Sequence, residues 1–309
     1  MYAVETNQLC KVYGQNRAVW NFDMHVPEGA VYGFVGKNGA GKSTVMKLIA
    51  CLATPTSGAI SLYGRVSEGI ERSGLNRVGV LIETPGLLPN LSAFDNLYYK
   101  ALSLGIVDAK MRCRDILRTV GLGGASTMRA KKFSLGMRQR LGVGLALLGS
   151  PDLLLLDEPF NGLDPEGTRE LRNLITDLSH NHGVTFVISS HVLDQLDRMA
   201  TCYGVIAHGQ MIREMSAEQV DLECGDSMRL RVDRPEQALV RLQESDPNLI
   251  CLMEPGDYIR LRGDVDPQLI AQTLHDAGFV VYELTVVRRD IEDYFVELMD
   301  GGAHYAESA

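Results

Sequence analysis

Gly36-Lys37-Asn38-Gly39-Ala40-Gly41-Lys42-Ser43-Thr44 follows an apolar run, Ala30–Val35, and opens a helical stretch from Ser43 to about Cys51. A G-x-x-x-x-G-K-[ST] spacing between a strand and a helix is a phosphate-binding loop. Its glycines let backbone amides turn inward, and the helix that follows aims its positive end at the same point. Lys42 is placed to reach β- and γ-phosphates, and the Ser43 hydroxyl to ligate Mg²⁺. Such a strand-loop-helix unit belongs in an α/β core.

Further along, Leu153-Leu154-Leu155-Leu156-Asp157-Glu158 is an apolar strand ending in two carboxylates. A central parallel strand is apolar on both faces, so its charges emerge only where it leaves the sheet, beside the ligand crevice. Asp157 suits the Mg²⁺ shell and Glu158 suits polarising an attacking water. Between loop and carboxylates lies Phe133-Ser134-Leu135-Gly136-Met137, a helix start with a capping serine and a glycine. A capped helix N-terminus of this kind is a second anion site, which an ordinary phosphate-loop enzyme does not need. Two such elements in one chain point to ATP sandwiched between two copies, and so to an engine for another process. His191 follows Val184–Ile188 and Ser189-Ser190; a lone histidine after a strand is usually structural, but its place next to the carboxylate strand in the expected sheet favours a γ-phosphate contact. Tyr13, in Val12-Tyr13-Gly14, is placed either to stack on adenine or to serve as a strand aromatic.

Around these motifs, alternation along Val4–Val12 and Ala18–Val26 predicts antiparallel strands, with further strands near Ala59–Tyr63 and Val78–Ile82. Helical periodicity over Ala93–Leu104, Ala109–Val120 and Leu135–Leu148 predicts a helical insertion at about 90–149. Phe94, Leu97, Tyr98 and Ala101 share one face of it, as insertion core or partner surface. Strand-helix alternation then resumes through Leu153–Leu156, Pro165–His180, Thr185–Ser189, Val192–Ala200 (a helix) and Tyr203–Ala207, which makes the core doubly wound α/β. Later, Arg229-Leu230-Arg231-Val232-Asp233 with Pro235 matches Arg260-Leu261-Arg262-Gly263-Asp264 with Pro267. Each copy continues into a helical stretch (Glu236–Gln243; Gln268–His275) and an apolar strand (Leu249–Met253; Phe279–Leu284). The doubled β-α-β predicts a small ferredoxin-like α+β domain. An amphipathic helix, Ile291–Met299, closes the pattern. Two domains are expected, 1–220 and 221–309.

Composition narrows the function. Of 309 residues, 45% are hydrophobic and 22% charged, which suits globular cores. The longest apolar runs, Leu141–Gly149 and Leu153–Leu156, fall short of the ~18 residues a membrane span requires. No lipid-anchor motif is visible, so any membrane role needs a partner chain to supply the spans. Residues 1–214 hold 22 Lys+Arg against 19 Asp+Glu, while 215–309 hold 8 against 20. The acidic second part argues against nucleic acid or anionic lipid as a direct partner, and reads as a solvated face or an acidic docking site. The six cysteines lack disulfide or zinc spacing and are expected to be buried thiols in a reducing cytoplasm.

Over about residues 2–220 the order of motifs resembles the ATP-binding subunits of ATP-binding cassette (ABC) transporters. The resemblance implies a P-loop NTPase cassette with a mixed sheet core, an antiparallel β edge and a helical insertion. It places the Walker A motif on Gly36–Thr44, the Walker B motif on Leu153–Asp157 and the catalytic carboxylate on Glu158. The signature motif falls on Ser134–Arg138, the D-loop on Asn161–Asp164, the switch histidine on His191 and the adenine-stacking aromatic on Tyr13. ATP and Mg²⁺ are implied, with Ser43, Glu83 and Asp157 around the metal. So is a second copy of the subunit, whose Ser134, Leu135, Gly136, Met137 and Asp164 reach the nucleotide in trans. A separately encoded membrane-spanning permease would hold the chain at the cytoplasmic face of the membrane.

Two positions depart from the family pattern. Its usual signature is Leu-Ser-Gly-Gly-Gln, of which Ser134 and Gly136 remain here. Glu83, in Val80-Leu81-Ile82-Glu83-Thr84-Pro85-Gly86, stands where the family has glutamine. That glutamate, with Pro89-Asn90-Leu91-Ser92 and Phe133–Arg140, is similar to the bacitracin-resistance and lantibiotic-immunity exporter ATPases, which implies export of or protection against a peptide antibiotic. The competing readings are a transporter ATPase for an unrelated substrate, a soluble mechanical ATPase acting on DNA or ribosomes, and an ATP-sensing module.

Overall fold

The computed structural model describes residues 1–66, 77–224, 227–246, 249–262, 266–287 and 291–306. They cluster as two units, Met1–Met215 with the end of the chain from Leu298, and Ser216–Glu297.

In the first unit, the N-terminal alternation becomes β1 (Tyr2–Tyr13) and β2 (Asn16–Pro27), paired antiparallel with Val4 opposite Val26. The hairpin buries Val4, Leu9, Phe22 and Met24 on one face. Next comes β3 (Val31–Val35), buried at all five positions, and then α1 (Lys42–Ile49). Against β1 lies β4 (Ser57–Leu62), with the short β5 (Arg65–Val66) beyond it, giving an antiparallel sheet of order β2-β1-β4-β5. Phe22 meets Phe34 of β3 edge-to-face, 5.8 Å between centroids, which joins this sheet to the core.

After β6 (Val78–Leu81) the chain builds its helical insertion from α2 (Ala93–Ser103), α3 (Ala109–Thr119) and α4 (Leu135–Leu147). Leu97 and Ala101 are fully buried there; Phe94 and Tyr98 are half-buried and stack on each other at 5.8 Å. The core resumes with β7 (Leu153–Asp157), α5 (Pro165–His182), β8 (Thr185–Ser190), β9 (Cys202–Ala207) and β10 (Gln210–Ser216). The second sheet runs β10-β9-β3-β8-β7-β6, parallel from β9 to β6. Its strands β3, β7 and β8 are buried along their whole length, as a parallel sheet covered on both faces demands.

One expected helix is not there. Val192–Ala200 forms only a 3₁₀ turn, Leu193–Gln195, followed by turns. Leu193, Leu196, Met199 and Ala200 are buried as the periodicity suggested, but the backbone mixes bonds to the third residue back (Leu196 to Leu193, Met199 to Leu196) with bonds to the fourth (Asp197 to Leu193). The bonds to the third residue back tighten the chain into 3₁₀-type turns and interrupt the regular α-helical ladder.

Tyr32 is buried and donates its hydroxyl hydrogen bond to Glu214 at 2.7 Å. Burial, reinforced by the neighbouring carboxylate, pushes its pKa well above the usual phenol value. A Cβ on Gly204 would stand 1.9 Å from that hydroxyl oxygen. Gly204→Ala is therefore expected to displace Tyr32 and to cost about 1–3 kcal/mol, the range for overpacking. Scanning calorimetry should show the unit's transition lowered by roughly 2–12 °C; an unchanged transition would mean the ring moves aside freely.

The second unit starts with α6 (Ala217–Cys224) and continues as β11 (Ser227–Val232), α7 (Pro235–Ser245), β12 (Ile250–Glu254), β13 (Tyr258–Arg262), α8 (Pro267–Asp276) and β14 (Val281–Val287). Its antiparallel sheet has the order β12-β13-β11-β14, the split βαββαβ arrangement. The two copies of the sequence repeat face each other across the middle of the sheet, Arg229 directly opposite Arg260. Met228, Leu230, Ile259 and Leu261 enter the core with Ala238, Leu242 and Leu274 from the helices. Gly263 and Asp264 of the repeat lie outside the described residues. The last helix, α9 (Ile291–Ala306), buries Tyr294 and Phe295 and leaves Ile291 and Leu298 half-buried.

No disulfide joins the six cysteines. Cys10, Cys113 and Cys251 are buried, but Cys51, Cys202 and Cys224 are only half-buried, so burial is less complete than expected. Desolvation still pushes the Cys202 thiol up to about 11.

Candidate functional site

The carboxyl ends of β3, β7 and β8 lie side by side, with Val35 beside Ser190 and Asp157 beside Ser189 in parallel register. This is where a doubly wound sheet opens its ligand crevice. The chain leaves β3 at Gly36, where a Cβ would meet the Ile206 side chain and carbonyl at 2.6 Å, and turns back into α1 at Gly41. Gly41 has φ of 112°, and a Cβ there would lie 2.7 Å from the Ala18 carbonyl. Both positions therefore need glycine, and the loop between them stays close to the strand ends. Lys42 is buried and reaches back over the loop to donate to the Gly36 carbonyl at 2.5 Å and the Lys37 carbonyl at 3.4 Å.

An open cleft of about 560 Å³ is lined by Tyr13, Lys37, Asn38, Gly39, Gly41, Lys42, Ser43, Thr44 and Glu158. Gly36 and Ala40 lie buried beneath it. Lys37 is exposed and ion-pairs with Asp300. Tyr13 is 48% exposed at the cleft edge, with the Lys11 ammonium 4.8 Å from its ring centre.

Glu158 adopts φ of 48°, an uncommon backbone conformation for a side chain with a Cβ. Its Oε2 is 2.8 Å from His191 Nδ1, and its Oε1 is 3.3 Å from Lys42 Nζ. That second oxygen is buried yet has no hydrogen-bond donor, so Lys42 supplies charge to it without a directed bond. Behind them, the buried Ser189 hydroxyl donates to Asp157 at 2.5 Å and accepts from the Glu158 amide at 2.9 Å.

Glu83 does not line the cleft. Its carboxylate takes a 2.7 Å hydrogen bond from Lys47, one turn beyond Ser43 on α1. That bond holds the Glu83 carboxyl below its usual pKa and raises the Lys47 ammonium. The residues expected to act in trans are also elsewhere. Ser134 is exposed and caps α4, accepting from the Met137 amide at 3.2 Å; exposed Leu135 and half-buried Gly136 and Met137 follow it. Asp164 caps α5, accepting from the Gly167 amide at 2.9 Å. The two helix starts are adjacent, since a Cβ on Gly136 would lie 3.5 Å from Gly167. None of the five lines the cleft.

Asn16, Arg17, Ala18, His208 and Gly209 line the cleft without any motif to announce them. Asn16, Arg17 and Ala18 open β2, and His208-Gly209 form the turn between β9 and β10, where Gly209 donates to the Ala40 carbonyl at 2.9 Å. A turn dipeptide such as His208-Gly209 signals only a change of direction in a sequence.

The donor set fits a nucleotide with Mg²⁺. Ser43 and Asp157 offer hard oxygens, and Mg²⁺ is usually held by one or two carboxylates together with substrate phosphates. Gly39, in the cleft lining, has open space where a Cβ would stand, and Glu158 Oε1 lacks a donor.

Residues 19–161 match the family model for ABC transporters. Over 300 residues the chain is 34% identical to the bacitracin transport ATP-binding protein of Bacillus licheniformis, covering 97% of this chain and 98% of that one. It is 42% identical over 211 residues to the lantibiotic transport ATP-binding protein of Streptococcus pyogenes, covering 68% of this chain and 90% of that one. Among solved structures, a dimeric ATP-binding cassette bound to ADP and Pi superposes with a TM-score of 0.62 at 22% identity, covering 69% of this chain and 98% of that one.

Proposed function

The chain belongs to the ABC transporter family of ATP-binding proteins, and from that premise we propose that it energises an exporter giving protection against a peptide antibiotic. Like the rest of that family it binds and hydrolyses ATP. The observation that carries the substrate class is likeness over nearly the whole chain, second unit included, to a bacitracin transport protein.

In the mechanism, Lys42 and the amides of Gly39–Thr44 hold the β- and γ-phosphates, and Tyr13 stacks on the base. Ser43 and Asp157 would hold Mg²⁺, which would supply charge neutralisation at the phosphates. Glu83 would reach the metal only on releasing Lys47. Glu158 orients the attacking water and takes its proton, while His191 fixes the carboxylate through its 2.8 Å contact. Ser134–Met137 and Asp164 are exposed or half-exposed helix starts away from their own cleft, so they serve the nucleotide of a second copy.

No helix among the described residues is long and apolar enough to cross a membrane. A permease therefore supplies the spans and holds the chain at the cytoplasmic face. It docks in the cleft of about 610 Å³ whose lining includes Leu52, Ile82, Pro85, Leu88 and Tyr99. Deleting the chain is expected to sensitise its host several-fold to bacitracin or a lantibiotic in growth assays, and tagged protein should co-purify with a membrane protein. Unchanged sensitivity would remove the substrate class. Recovery only with ribosomes or DNA would remove the transporter role.

A further inference from the structure

Ser189 has no place in the motif set, yet it touches both carboxylate residues at the end of β7. Resting on the hydrolytic reading of the site, we propose that Ser189 is a positioning residue that aligns the Mg²⁺-ligand Asp157 with the catalytic Glu158. Its side chain is fully buried at the end of β8, opposite Asp157 in the parallel register. A hydroxyl carries one donor and two acceptor lone pairs. Here the donor goes to Asp157 Oδ1 at 2.5 Å, and an acceptor takes the Glu158 amide at 2.9 Å. With both roles in use, the direction of the O–H is fixed.

Two things follow. The Asp157 carboxylate is nearly buried and has one oxygen committed to Ser189, which sets its rotation and leaves the other oxygen for a cation. Glu158, the next residue, holds a left-handed φ of 48° that must be sustained by its surroundings. The Ser189 hydroxyl and the Ser189 carbonyl, at 3.2 Å, are the two acceptors on its amide. One side chain therefore controls the orientation of the metal ligand and the backbone from which the catalytic carboxylate projects. Groups that orient metal ligands from behind change metal affinity or activity by ~10–100-fold when removed.

The test compares wild type, Ser189→Ala and Ser189→Thr. The alanine variant is expected to lose ~10–100-fold in kcat and to need a comparably higher Mg²⁺ concentration. The metal requirement is read without turnover, as the Mg²⁺ midpoint of the ATP-induced shift in melting temperature. Binding of a fluorescent ATP analogue in EDTA should change less than about twofold, because Ser189 touches no phosphate-loop residue; the threonine variant should recover most of both losses. An alanine variant with wild-type kcat and Mg²⁺ midpoint would overturn the proposal. So would parallel losses in melting temperature, metal-free binding and kcat, which mark general structural damage. If threonine fails to fold, its melting curve shows it and the alanine comparison decides. Wild type without ATP binding would sink the site assignment itself, and the role of Ser189 with it.

Discussion

Glu158→Gln is expected to stop turnover by ~10²–10⁴-fold, the usual contribution of a positioned general base, while ATP still binds. The phosphate loop, Lys42 and Ser43 are untouched by the change, so binding should survive. Glutamine keeps the reach and one oxygen of the carboxylate, but an amide cannot take the proton of an attacking water. The site also loses the one anion that faces Lys42 at 3.3 Å and His191 at 2.8 Å, so the transition state loses its organised charge. On the proposed sandwich, in which hydrolysis would reopen the closed pair, the variant should accumulate as an ATP-bound dimer. Phosphate release and size-exclusion chromatography with Mg²⁺ and ATP read both effects. Hydrolysis within about tenfold of wild type would place the base elsewhere. A variant that binds ATP yet stays monomeric would remove the sandwich.

Lys42→Ala should show the opposite pattern, with binding itself lost. The ammonium is buried and drawn over the loop by the Gly36 and Lys37 carbonyls, so it is held in place before any phosphate arrives. A hydrogen bond to a charged group is worth ~1.5–3 kcal/mol. With contacts to two phosphates at stake, and tenfold for each ~1.4 kcal/mol, ATP affinity should fall ~10²-fold or more by titration calorimetry. An affinity within threefold of wild type would mean that the amides alone carry the phosphates.

Much of this was legible before any coordinates. The P-loop, the carboxylate strand and the three insertion helices are local patterns whose periodicity or spacing is set by the element itself. The repeat beginning at Arg229 and Arg260 marked a doubled β-α-β, though not that its two strands lie paired in the sheet. What escaped depends on distant neighbours. Val192–Ala200 has a helical spacing of buried side chains, but its backbone bonds are of mixed 3₁₀ and α type, which the spacing does not reveal. β10 is half-buried along nearly its whole length, so it lacks the alternation that marks a strand. Arg17, His208 and Ser189 enter the site only because the sheet order brings remote turns and strand ends together. Glu83 was conspicuous as a departure from a pattern, but its partner Lys47 is 36 residues away and nothing in the spacing pairs them.

That pairing gives the loop after β6 an electrolyte dependence. Glutamine at position 83 could still accept from the Lys47 ammonium, but without a charge of its own, so dissolved ions would weaken that contact less. Glu83 and Lys47 both reach solvent, where attraction between full charges fades over ~8 Å at physiological ionic strength and ~3 Å at 1 M. Dilute salt therefore favours the contact between this loop and α1, and concentrated salt weakens it.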